Sequence, residues 1–160
     1  MNPKPPSTQH LTLQPVSSKT MTGQPLTPKP LGDEALLLYG LICVAGADGR
    51  IDTSESATLN GFVQQLPDFR GKNHEALYAE AFSLLRAHTT NGRPDLSFLG
   101  MLTKPALKKK LFVLAVDLAM SSGEIDFNEE FMLLELRRVL EIDAETSAKT
   151  YDVLTMKYAT

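Results

Sequence analysis

A chain of 160 residues, 42% apolar and carrying a formal net charge of −3, is long enough for one domain with a buried core and too short for two ordinary ones. Its longest uncharged and predominantly apolar stretch, from Ala35 up to Asp48, is too short to cross a bilayer, and the N-terminus lacks the apolar core of a secretion signal, so a cytoplasmic protein is expected. The single cysteine, Cys43, excludes an intramolecular disulfide or a multi-cysteine zinc site.

Residues 1–32 hold seven of the ten prolines among Ser, Thr and Gln, together with Lys4, Lys19 and Lys29 and no acid. Such a segment has too little apolar surface to fold on itself and is expected to be a disordered, partly polyproline-like arm, a tether or a partner-binding tail. The remainder carries 13 basic against 19 acidic residues. An acidic body is poor at neutralising phosphates, which argues against nucleic acid as partner.

From residue 33 to the end, the apolar spacing predicts helices. Asp33 and Glu34 favour the start of the first, which continues through Leu36, Leu37, Tyr39, Gly40, Leu41, Val44 and Ala47, with Cys43 as a small core residue. A second follows Asp52, carries Leu59, Phe62, Val63 and Leu66, and stops at Pro67. Residues 67–73 read as a polar loop. A third runs from about His74 to His88, and Asn91-Gly92-Arg93-Pro94-Asp95 is a strong turn. A short fourth holds Leu96, Phe98, Leu99 and Leu102. Pro105 opens a fifth, reaching about Ser121. The sixth starts after Asp126, with Phe131, Met132, Leu134, Leu136, Val139 and Leu140 as its apolar set. Asp143 caps a last helix that reaches about Tyr158 and carries Tyr151, Val153, Leu154 and Met156. No stretch alternates as a strand should. The expected fold is all-α: a compact bundle of about seven helices containing two related helix–loop–helix pairs.

The relation between the pairs lies in a repeated motif. Ala47-Asp48-Gly49-Arg50-Ile51-Asp52-Thr53-Ser54-Glu55 and Ser121-Ser122-Gly123-Glu124-Ile125-Asp126-Phe127-Asn128-Glu129 share Gly, Ile, Asp and Glu at identical offsets, 74 residues apart. Physical chemistry allows two readings. In the first, Gly49 and Gly123 take the left-handed backbone that ends a helix. Asp52 and Asp126 are then N-caps, Glu55 and Glu129 complete capping boxes, and Ile51 and Ile125 point inward. This reading leaves Asp48 without a role, at a helix C-terminus where the dipole disfavours it and near two further acids. In the second, Asp48, Asp52 and Glu55 converge on a divalent cation such as Ca²⁺, Mg²⁺ or Mn²⁺. The spacing coincides with the latter half of an EF-hand loop, but Val44 and Gly46 stand where its opening acidic ligands belong, leaving at best a weak, hydrated or shared site.

The pattern Ala45-x-Ala47-Asp48-Gly49-Arg50-Ile51-Asp52-x-x-Glu55, with a helical body and a degenerate second copy, resembles the TerB-like tellurite-resistance domains over roughly residues 34–158. The resemblance implies a small all-α domain associated with stress and metal resistance. It also implies a metal held by Asp48, Asp52 and Glu55, with Asp126 and Glu129 at the counterpart corner. Ser122 replaces Asp48 in the second copy, a departure from the pattern.

Other chemistry finds little support. No two of His10, His74 and His88 are spaced as zinc ligands on a helix, and there is no phosphate-binding glycine loop or nucleophile elbow. An enzyme is not expected. Lys104, Lys108, Lys109 and Lys110, and separately Arg137 and Arg138, form basic patches, read either as solvated faces or as docking surfaces for an acidic protein partner. Gly40 and Gly61 mark expected close approaches between helices.

Overall fold

The computed structural model describes residues 31–160. The arm expected over residues 1–32 lies outside them except for its last two positions. No described helix is long and apolar enough to cross a membrane.

The body is all-α, built around one helix. In α1 (Asp33–Ala45) every residue from Ala35 to Ala45 is buried. A helix apolar on all sides is stable in water only when other helices enclose it. Here α3 (His74–Ala87) and α4 (Pro105–Met120) cover most of it, α2 (Thr53–Gln65) and α5 (Phe127–Val139) cover the rest, and α6 (Ala144–Tyr158) lies on α4. The crossing of α1 and α4 is close at Gly40, where a Cβ would come within 2.9 Å of the Leu111 side chain. Gly61 has no such neighbour: nothing lies within 4 Å of where its Cβ would be, so the close approach expected there does not occur.

Each chain reversal has a local cause. Asn73 caps α3 by accepting from the Ala76 N–H at 3.0 Å. Asp143 caps α6 through the Thr146 N–H at 2.7 Å. Pro105 occupies the first turn of α4, where its missing N–H is not needed. After α5, the Ile142 N–H reaches back to the Arg137 carbonyl and the Glu141 N–H to that of Arg138, closing a Schellman motif around Glu141 at φ 57°.

Three expectations change. The short fourth helix is a 3₁₀ turn, Ser97–Met101, so the described chain has six α-helices; Leu96, Leu99 and Leu102 still reach the core, now from a tighter coil. The Asn91–Gly92 turn joins a small antiparallel ribbon, β1 (Thr89–Thr90) and β2 (Arg93–Pro94). Both turn residues have positive φ, 52° and 76°, as a two-residue hairpin loop following the strand twist requires. The loop after α2 is not wholly polar: its 3₁₀ turn Pro67–Phe69 drives Phe69 fully into the core.

The lysines at the start of α4 are neutralised within the chain. Lys104 pairs with Asp33, Lys108 with Glu141, Lys109 with Asp143 and Lys110 with Asp68. These pairs tie α4 to the start of α1, to the α5–α6 junction and to the loop after α2.

Candidate functional site

The two copies of the motif build their corners in the same way. Gly49 and Gly123 adopt positive φ, 90° and 115°, turning the chain back between α1 and α2 and between α4 and α5. Ile51 and Ile125 are half-buried and pack on the core. Asp52 accepts from the Glu55 N–H at 2.8 Å while Glu55 Oε2 accepts from the Asp52 N–H, also at 2.8 Å. At the second corner Asp126 accepts from the N–H groups of Asn128 and Glu129, and Glu129 Oε2 accepts from the Asp126 N–H at 2.7 Å. Both capping boxes are complete.

Asp48, which had no role in the capping account, has one here. Its Oδ1 accepts from the Arg50 N–H at 2.8 Å, fastening the turn that Gly49 opens. At the matching place, the Ser122 hydroxyl instead donates to the Ala119 carbonyl at 3.0 Å.

The corners meet, which no sequence spacing foretold. Asp48, Asp52 and Glu55 line one cleft of about 470 Å³ together with Asp126 and Glu129. Glu124 and Arg50 line it too. Arg50 was overlooked as a site residue, although it lies inside the first motif.

At the cleft floor, Glu55 and Glu129 are 5% and 6% exposed. Each gives one oxygen to its own cap, and the two carboxyls hydrogen-bond to each other. Burial pushes the Glu55 carboxyl up to about 7, opposed by the hydrogen bond from the Asp52 N–H and assisted by the charges of Asp52 and Glu129. Glu129 is also raised, chiefly by burial, with the charges of Asp126 and Asp48 adding to the effect. Two buried carboxylates in contact cannot both ionise cheaply, and their mutual hydrogen bond raises Glu55 while it lowers Glu129, favouring a shared proton with Glu55 as donor. Among the described residues no ion pair joins a cation to any of the cleft acids.

The donor set is all carboxylate oxygen, the chemistry of hard cations. The geometry supports less: among the described residues no three acidic, histidine or cysteine groups are gathered as a metal ion would require. Caps and the Asp48 turn hold the carboxylates apart. As arranged, the cleft offers a cation no more than two protein carboxylates at once, and water would have to fill the remaining positions.

The remaining candidates have structural partners. Cys43 is buried and its thiol is pushed up to about 12 by that burial, far from a reactive thiolate. His74 hydrogen-bonds the Phe69 carbonyl, and His88 packs on Phe98 with ring centroids 4.6 Å apart. Comparison with protein-family models, curated proteins and solved structures found no match.

Proposed function

We propose that this chain is a binding or sensing module of the TerB-like kind, linked to tellurite resistance or stress response, whose responsive element is the acidic cleft shared by its two corners. One observation carries the reading: two motifs remote in sequence converge, placing two buried glutamates in contact in a cleft with four further acids, none of which forms an ion pair among the described residues, although Arg50 lines the same cleft. In this reading Glu55 and Glu129 sense the positive charge at the floor, while Asp48, Asp52 and Asp126 draw it to the mouth. A hydrated divalent cation, Mg²⁺, Ca²⁺ or Mn²⁺, would supply charge compensation there, held weakly by one or two carboxylates at a time. Because each floor glutamate also caps a helix, a change in its charge acts on the N-termini of α2 and α5 together, and through them on the surface offered to a protein partner.

Calorimetric titration of the chelator-treated protein with Ca²⁺, Mg²⁺, Mn²⁺ and Zn²⁺ tests this. Expected is saturable, weak binding of the hard cations that Asp48→Asn abolishes. Asn retains the oxygen that fastens the Arg50 turn, so this variant should fold as the parent does. No binding up to millimolar metal would overturn the cation reading. Restoration of tellurite or stress tolerance by the parent chain, and not by Asp48→Asn, in cells lacking the protein tests the biological link.

A second reading is favoured by the completeness of both capping boxes: a metal-free interaction scaffold whose acids serve only as caps. It expects no cation binding and a stability loss when the caps are removed.

A further inference from the structure

Four side chains of α5 form a line that the core does not use. Phe127, Phe131 and Leu134 are 80%, 47% and 58% exposed, and Arg138, exposed as well, continues them. Their spacing of four, three and four residues is that of one narrow helix stripe, while Met132, Leu133 and Leu136 carry the buried face. The apolar set expected from the sequence therefore divides: Phe131 and Leu134 belong to the outside. Arg93 lies over Phe131, 5.3 Å from the ring centroid, and still leaves it half open.

We propose that this stripe seats a second copy of the chain, α5 against α5, antiparallel about a two-fold axis. The argument is self-complementarity of shape and charge. Phe127, Phe131, Leu134 and Arg138 fall on the alternating seam positions of a coiled coil. In the antiparallel register that sets Phe131 against Leu134 of the second copy, Phe127 meets Arg138 of the second copy, and symmetry makes each contact twice. Phe127 is thereby covered by the long side chain of Arg138, whose guanidinium, already paired with Glu135 on its own helix, can lie with its face against the ring. On one flank of the seam, Glu130 and Arg137 stand seven residues apart, and the same register brings Glu130 to Arg137 of the second copy. Neither forms an ion pair among the described residues; Arg137 spends only its Nε, on the Ile142 carbonyl. The parallel arrangement is disfavoured: it sets Arg138 against Arg138 and Glu130 against Glu135. A seam of about three turns buries less than the roughly 1,200 Å² of a standard stable interface, so the dimer forms at high concentration and dissociates on dilution.

Sedimentation equilibrium of the full chain over micromolar to millimolar concentration tests the proposal, with circular dichroism to check folding. The parent is expected to pass from monomer to dimer, and Leu134→Glu to remain monomeric. Glu130→Arg and Arg137→Glu should each weaken self-association about tenfold, because two attractive pairs become repulsive. An equimolar mixture of these two variants should recover the parental affinity, since both cross-chain pairs are then opposite in sign. A parent that stays monomeric at every concentration would overturn the proposal, as would a dimer indifferent to Leu134→Glu. Failure of the mixture to associate better than either variant alone would overturn the antiparallel register that pairs Glu130 with Arg137.

Discussion

Glu55 is an acid placed where a neutral group serves the fold better at neutral pH. Its carboxyl is raised from 4.5 to about 7, so the folded chain keeps a proton that the unfolded chain has already lost. Between those values deprotonation works against the fold, and stability falls as pH rises through that window. Below 4.5 both states are protonated and this contribution is fully present; above about 7 it is gone. Glu129 is shifted in the same direction. Asp95, Glu135, Glu141 and Asp143 are lowered by hydrogen bonds, and so lose stabilising charge only at more acid pH. Glu55→Gln keeps an oxygen for the Asp52 N–H and an N–H for Glu129. Scanning calorimetry across mildly acid to mildly alkaline pH should show a melting temperature that declines for the parent and is flatter and higher for the variant. A parental melting temperature that climbs with pH over this range would contradict the shared proton.

Among the helices, the caps and crossings carry separate, measurable shares of stability. Asp52→Ala and Asp126→Ala each remove a capping box and should cost about 1 kcal/mol in denaturant unfolding, with or without metal. The larger loss is expected at the second corner, because Asp126 accepts from two backbone N–H groups where Asp52 accepts from one. Gly40→Ala forces a methyl against Leu111 and should destabilise by about 1–3 kcal/mol through overpacking. Glu141→Gly relieves a left-handed residue after α5 and should raise the melting temperature, offset in part by loss of the exposed pair with Lys108. Such local devices were readable in advance. Asp52, Glu55, Asp126 and Glu129 announced their caps by spacing alone, and Pro105 and Asp143 announced helix starts, because capping involves atoms only a few residues apart. The turn role of Asp48 is not legible in the sequence pattern, because a side chain accepting from a backbone N–H two residues on leaves no trace in periodicity. Phe131 and Leu134 belong to the apolar set of α5 yet stay exposed, because that set is wider than the face its neighbours cover.

Convergence of the corners is a property of the whole bundle and depends on how α2 and α5 pack around α1, which no pairwise spacing encodes. The last helix is fastened by a different acid: Lys157 donates to both oxygens of Asp117, at 2.6 and 2.8 Å, and the Tyr158 hydroxyl reaches the same carboxylate. These bonds hold α6 on α4 just before the chain turns into the second corner. The enclosed helix α1 has a consequence for how the protein is made. During synthesis it emerges before α3 and α4, the helices that cover most of it, and until they follow, its leucines lack most of the partners they have in the finished bundle. Translation speed through residues 46–120, more than the stability of the finished bundle, therefore sets how long a ribosome-bound chain exposes its most aggregation-prone segment, and synonymous codons that slow this stretch should lower soluble yield without changing a single contact.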